Sequence, residues 1–239
     1  MKIALSVIAL LLLVILGPAA WQYAHFDPNQ APPEQNLPWQ IEHLPGGETR
    51  VFGITPGRTT LGEVTARLGQ DGMSLAIVAE PNESGNVEMY YETVTMGFVA
   101  GKLIITADLP TATIDAMRER APKTEYMQST TRKATLAPAD RGAALAAPVR
   151  ALAFIPSAQL DEAVVQQRFG PPAERLRIND HQEHLLYPAQ GLDLMLDSQG
   201  RELLQYVAPA RFEEVRAPIL KLAQSQAPTT PSTGKASGQ

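Results

Sequence analysis

Alternating apolar and polar positions predict strands along the second half of the chain. Leu192, Leu194 and Leu196 enclose Asp193 and Met195, a pattern typical of a strand with one buried face. Turn residues separate this segment from similar ones on either side. The predicted strands are residues 174–178, 183–187, 192–196 and 202–207. The short breaks between them indicate an antiparallel meander.

The first half carries a similar series of short strands. They are predicted at residues 74–78, 87–93, 97–99 and 103–107, with Ala100-Gly101 as a tight hairpin connection between the last two. Residues 39–44 and 49–52 flank Pro45-Gly46-Gly47 and predict a leading hairpin. Between the two series, residues 126–136 favour a strand and 141–147 a helix, and residues 149–155 lead into the second series.

A short helix is predicted ahead of each meander. In the first, Thr60 and Glu63 have the spacing of a capping box, and Gly69 is placed to end the helix. In the second, Ser157 is the predicted N-cap and Gly170 ends the helix before two prolines. The apolar sides are Leu61, Val64 and Leu68 in the first helix and Leu160, Val164 and Phe169 in the second. Each series ends in another helix, at 111–120 and 211–222.

The two series align as an internal repeat at an offset of 101 residues. The matched pairs are Ile54 with Ile155, Val64 with Val165, Arg67 with Arg168, Leu68 with Phe169, and Gly69 with Gly170. We therefore expect an α+β fold of two tandem modules, each a short helix, an antiparallel β-meander and a second helix. The expected divisions are an anchor or signal segment 1–24, a Pro-rich linker 25–38, a first module 39–125, a connection 126–148, a second module 149–222 and a disordered tail 223–239.

The segment of residues 3–24 contains no charged side chain. At about 1.5 Å per residue it is long enough to cross a hydrocarbon core of roughly 30 Å. Residues 3–16 alone also fit a signal-peptide core, with small residues at 17–20 for cleavage. We favour an uncleaved helix, because Pro18 is unsuited to a cleavage site and apolar character continues through Trp21 and Tyr23. The positive charge of Lys2 places the N-terminus in the cytoplasm. We therefore expect a single-pass inner-membrane protein whose folded part faces the periplasm.

Composition narrows the classes of function. The chain has no cysteine, which excludes thiol catalysis, disulfides and a lipid-modified cysteine. Its net charge of -5 gives no basic surface for nucleic acid. The sequence contains none of the common nucleophile, zinc-protease or phosphate-loop motifs, so we expect no enzyme and no cofactor.

Two stretches resemble a known group of small bacterial envelope proteins. ITPGRTTLGEVTARLG, residues 54–69, is similar to the opening of proteins of the SmpA/OmlA (BamE) type. VVQQRFGPP, at 164–172, and LLYPAQGLDLMLDSQGRELLQYV, at 185–207, resemble the same opening and its following strands. The tandem arrangement also resembles the beta-lactamase inhibitor protein. The resemblance implies a protein that binds other proteins, although this chain lacks the lipid-attachment cysteine and carries an apparent inner-membrane helix.

Three aromatic residues are the candidate partner-binding residues. Tyr90 and Tyr91 occupy consecutive strand positions, so that one faces the core and the other a partner, and Phe98 lies nearby. We expect a non-catalytic envelope protein that binds another envelope protein through exposed sheet faces. One alternative is a module that binds a small molecule or glycan. The other is a metal-dependent hydrolase centred on His181 and His184, which a strand would point to opposite faces.

Overall fold

The computed structural model describes residues 36–127 and 130–226. The strands are β1 (Glu42–His43), β2 (Thr49–Arg50), β3 (Met73–Ala79), β4 (Asn86–Met96), β5 (Val99–Ala107), β6 (Thr124–Tyr126), β7 (Arg132–Thr135), β8 (Val149–Pro156), β9 (Glu174–Arg177), β10 (Gln182–Tyr187), β11 (Leu192–Asp197) and β12 (Leu203–Val207). The α-helices are α1 (Leu61–Leu68), α2 (Thr111–Glu119), α3 (Arg141–Ala146), α4 (Glu162–Phe169) and α5 (Glu213–Gln226). Short 3-10 helices span Pro138–Asp140, Pro188–Gln190 and Pro209–Arg211.

One ten-stranded antiparallel sheet, in the order β6-β7-β3-β4-β5-β8-β12-β11-β10-β9, organises the fold. β1 and β2 form a separate hairpin, as the Pro-Gly-Gly turn predicts. β8 lies in the middle of the large sheet and pairs with β5 on one side and β12 on the other. The predicted α+β class and antiparallel meanders are thereby confirmed. We call β6, β7, β3, β4 and β5 the first half of the sheet and β12, β11, β10 and β9 the second half.

The main core lies on one face of this sheet, which we call the helix face. Alternate strand residues project there, including Met89, Leu103, Phe154 and Leu194, all fully buried. The buried apolar side chains of α1, α2 and α4 belong to the same cluster. A continuous cluster across both halves explains why β8 can join them, since its inward residues contribute to a single core.

Helix α1 begins and ends where its sequence predicts. The Thr60 hydroxyl accepts a hydrogen bond from the Glu63 amide at 3.2 Å, and the Glu63 carboxylate accepts one from the Thr60 amide at 2.7 Å. These two bonds are the predicted capping box. Gly69 ends the helix with a φ of 84°, which glycine adopts without steric cost.

Helix α4 begins four residues later than predicted. Its N-cap is Asp161, whose side chain accepts a hydrogen bond from the Val164 amide at 2.7 Å. Ser157, the predicted cap, instead follows β8 and donates its amide to the Ala100 carbonyl at 2.8 Å. The prediction was wrong because an aspartate closer to the apolar positions was a competing cap.

Each half contains the same kind of unpredicted hydrogen bond, between a strand tyrosine and the end of a helix. The Tyr91 hydroxyl, on β4, donates to the Gly69 carbonyl at 2.9 Å. The Tyr187 hydroxyl, on β10, donates to the Gly170 carbonyl at 3.1 Å. Each bond satisfies a carbonyl group that the end of a helix leaves without an intrahelical partner.

The first half has three strands after its helix rather than the predicted four. Residues 97–98 form the turn into β5, which begins at Val99, and Ala100-Gly101 lies within that strand, paired with β4 and β8. A Cβ atom on Gly101 would lie 2.6 Å from both the Phe154 ring and the Ile155 carbonyl oxygen. Glycine is therefore required here by close packing, a role that sequence alone does not distinguish from a turn.

Both predicted flanking segments extend into the fold. Leu37 is buried within the expected linker, and the Pro38 carbonyl accepts a hydrogen bond from the Tyr206 hydroxyl at 2.9 Å. At the other end α5 continues to Gln226, past the expected start of the tail at residue 223. The structure thus differs from these two predicted boundaries. The predicted membrane segment 3–24 lies outside the described residues, and within them no helix is long and apolar enough to span a membrane.

Candidate functional site

The face of the sheet opposite α1 and α4, which we call the open face, is covered in only part of its width. On the second half, α5 and the residue before it pack on this face. Leu186, Val207 and Phe212 form a small buried cluster, to which Leu176 and Ile219 add apolar contact. This cluster is separate from the main core and holds the C-terminal helix in place.

Ion pairs fix α5 at both sides of this cluster. Arg216 binds the Glu174 carboxylate of β9 through two nitrogens, at 2.7 and 3.2 Å. Arg150, at the start of β8, binds Glu214 at 2.8 Å. The second half therefore shows how this sheet accepts an amphipathic helix: apolar residues at the centre and charged pairs at the rim.

On the first half, the open face forms a groove of about 260 Å³. Its residues come from β3, β4, β5 and β7, together with Met127 after β6. They are Ser74, Ala76, Val78, Glu88, Tyr90, Ile104, Met127 and Lys133, and we call this set the open-face groove. The cluster that α5 forms contains none of these residues. Most of the lining is apolar, so a complementary apolar surface would bind here with a gain from the hydrophobic effect.

Glu88 is the one carboxylate in this groove. It lies in β4 opposite Ala76 on one side and Thr106 on the other. Glu88 forms no hydrogen bond or ion pair with any residue that the structure describes. Burial raises the pKa of Glu88 to about 7. An unpaired carboxylate among apolar neighbours costs stability when it is ionised, unless a cation or donor reaches it.

The rim of the groove is exposed and mixed in character. Met127 keeps 50% of its surface accessible and the adjacent Tyr126 keeps 77%. Further along β4, the Tyr90 hydroxyl donates to the Glu92 carboxylate, which also binds Lys102 at 2.7 Å. Exposed large apolar side chains beside a groove are typical of protein interaction sites.

The three predicted site residues fall in three places. Tyr91 is buried on the helix face, whereas Tyr90 lies in the open-face groove, so the prediction that they point oppositely is confirmed. Phe98 lies in the turn between β4 and β5 and is 58% exposed. Its ring packs 5.9 Å from that of Trp39, beside a cleft of about 370 Å³ that Arg168 also lines. Tyr90 and Phe98 thus line separate depressions, and the binding role of either stays a prediction.

Each of the two candidate metal ligands lies within hydrogen-bond distance of a different aspartate. His184 Nδ1, on β10, lies 2.9 and 3.0 Å from the two Asp193 oxygens. His181 Nδ1, in the turn before β10, lies 2.9 Å from Asp197 Oδ1. Among residues 36–127 and 130–226, no three His, Asp or Glu side chains are grouped to hold a metal ion. The geometry gives the metal hypothesis no support in this part of the chain.

Glu88 did not emerge from the sequence, although one signal pointed to its surroundings. Residues 75–79 of β3 are apolar without interruption, whereas a strand with one solvated face alternates. The pattern therefore predicts cover on both faces of β3. The helix face of β3 is covered by the main core, and its other face lines the open-face groove.

The open-face groove brings three features together. It combines apolar surface, an exposed rim and one carboxylate that lacks a partner among the described residues. A search among protein-family models, curated proteins and solved structures finds no match to this chain.

Proposed function

We propose that this chain is a non-catalytic envelope protein that binds another envelope protein through the open face of its sheet. The observation that supports this most strongly is Glu88, a half-buried carboxylate that has no hydrogen bond or ion pair among the described residues, in a mostly apolar groove whose other charged residue is Lys133. A bound protein that supplies a cation would remove the cost of this group. It would also cover the outward side of β3, as its apolar run predicts.

The dimensions of the groove favour a protein over a small molecule. At about 260 Å³ it lies below the roughly 300 to 1,000 Å³ of typical small-molecule pockets. It also adjoins strand residues on the same face that are half-buried, Ala153, Ile155 and Gln205. Extended, half-buried surfaces of this kind suit protein partners.

The proposal includes the evolutionary and cellular setting inferred from the sequence. Two tandem modules related to SmpA/OmlA-type proteins would account for the paired helix ends at Gly69 and Gly170 and their tyrosine contacts. A single transmembrane helix at residues 3–24 would place the sheet in the periplasm. In that setting the open face would meet other envelope proteins.

The test is cross-linking of tagged full-length protein in its own cells, followed by mass spectrometry. Wild type is compared with Tyr90→Ala in the open-face groove and with Phe98→Ala in the turn. Both substitutions shorten an aromatic side chain on β4 or its turn, so each controls for the other. The proposal expects a reproducible envelope protein whose recovery falls at least several-fold with Tyr90→Ala and stays near wild type with Phe98→Ala.

Two results would overturn the proposal. Recovery of this chain alone would show that it has no bound envelope protein. Loss of the partner only with Phe98→Ala would show that the partner binds at the cleft beside Trp39 and not at the open-face groove. Circular dichroism and urea denaturation of each variant establish that it is folded before the comparison is made.

A further inference from the structure

The two halves of the sheet have matching strand positions on the open face, which different residues occupy. Tyr90 precedes the helix-capping Tyr91 on β4, as Leu186 precedes the helix-capping Tyr187 on β10. Tyr90 pairs with Ser74 on β3, and Leu186 pairs with Glu174 on β9.

The next positions along these strands agree in the same way. Ala76 pairs with Glu88 in the first half, and Leu176 pairs with His184 in the second. A position on one half therefore identifies its counterpart on the other half.

These counterparts differ in what covers them. In the second half, Leu176 and Leu186 contact α5 and the segment before it, and Glu174 binds Arg216 of that helix. Their counterparts Ala76, Tyr90 and Ser74 all line the open-face groove.

We infer that the partner bound on the open face presents an amphipathic α-helix that places a lysine or arginine against Glu88. The inference rests on the proposed function and names the kind of segment that the groove accepts. This chain supplies the precedent, because the same strand positions in its second half are covered by a helix.

The apolar side of the partner helix follows from α5. Phe212, Val215 and Ile219 turn towards the sheet, a spacing of i, i+3 and i+7 that lies on one face of a helix. In the groove the smaller Ala76 occupies the position that matches Leu176, so the groove is deeper at that point. A partner helix is expected to present a large apolar side chain above Ala76.

The basic residue follows from Glu88. In the second half the acidic group on the strand, Glu174, is paired with a guanidinium on the helix. In the first half Ser74 takes the position of Glu174, and the acidic group is Glu88 at the neighbouring register position, which has no hydrogen bond or ion pair among the described residues. A helix that covered Glu88 without a cation would bury an unpaired charge, which is strongly unfavourable. Charge complementarity therefore selects a lysine or arginine at this position.

The experiment first identifies the bound segment and then tests its conformation. A photo-reactive benzophenone amino acid replaces Met127, at the exposed rim, in the full-length chain. After irradiation of living cells, mass spectrometry identifies the linked peptide. We expect a segment with apolar residues at i, i+3 and i+7 and a lysine or arginine beside them.

A synthetic peptide of the linked segment is then titrated into purified full-length protein. Its circular dichroism should gain helical signal on binding. Glu88→Gln should weaken binding about tenfold, as expected for loss of a charge-assisted hydrogen bond. Glu119→Gln, the same change at an exposed position of α2 outside the open-face groove, should alter affinity by less than about twofold.

The outcomes separate this inference from the proposed function. A linked envelope segment that binds in an extended form, or binds equally to the Glu88→Gln variant, overturns the amphipathic helix and leaves the binding protein standing. Linkage only to residues 1–35 or 227–239 of the same chain, or only to a second copy, overturns both. Absence of any linked peptide also contradicts both.

Discussion

Replacing Glu88 with Gln should raise the free energy of unfolding, relative to wild type, by more at pH 8 than at pH 4.5. Burial raises the pKa of Glu88 from 4.5 to about 7. Between these values the folded chain holds the Glu88 proton more tightly than the unfolded chain does. The stability that the neutral carboxyl contributes is therefore fully present below about pH 4.5 and is lost as the pH rises through about 7. The difference between the two pKa values corresponds to a loss of about 3 kcal/mol.

Glutamine has nearly the shape of glutamic acid and stays neutral at both pH values. The cost of burying its amide is present at pH 4.5 and at pH 8, so it cancels when the two are compared. The stability of the variant relative to wild type should thus be higher at pH 8 than at pH 4.5 by about 3 kcal/mol. The assay is urea denaturation of both proteins at the two pH values, with unfolding monitored by circular dichroism.

Glu92→Gln provides the matched control. Hydrogen bonds from Lys102 and Tyr90 lower the pKa of Glu92, so this substitution should shift stability in the opposite sense or hardly at all. If Glu88→Gln changed stability equally at both pH values, Glu88 would not be an uncompensated charge. The proposed binding role of the open-face groove would then lose its main support.

Three further predictions concern stability, each measured by urea denaturation at neutral pH. Tyr91→Phe and Tyr187→Phe should each cost about 1 kcal/mol, because each removes a hydrogen bond to a helix end; no loss in either would contradict its role. Gly101→Ala should destabilise by about 1 to 3 kcal/mol through overlap with Phe154, whereas Gly142→Ala in α3 should stabilise by up to about 1 kcal/mol. Phe212→Ala should cost about 3 to 5 kcal/mol, and a smaller loss would show that α5 is weakly attached.

Local signals predicted most of the secondary structure. The capping box of Thr60 and Glu63 and the stop at Gly69 place α1 to the residue. Alternation at 192–196 identified β11, because Leu192 and Leu194 enter the main core on one face while Asp193 projects from the other. These features depend on interactions between neighbours in sequence.

The misassigned positions depend on contacts distant in sequence. Gly101 resembles a turn glycine, but its role is set by Phe154, which reaches it from β8. The central position of β8 required knowledge that its two edges would pair with strands from different halves of the chain. Glu88 resembles any solvated strand residue until the apolar neighbours from β3 and β5 are known.

The most direct test of the central claim uses the absence of cysteine from the chain. Thr106→Cys places a single thiol beside Glu88 on the open face, and Thr113→Cys places one on α2 at a similarly half-buried position. The rate of labelling by a small thiol reagent is compared in living cells and in purified full-length protein. We expect labelling at position 106 to be several-fold slower in cells than in purified protein, and labelling at position 113 to proceed at the same rate in both. Equal rates at position 106 in cells and in purified protein would show that nothing covers the open face and would contradict its proposed role in binding.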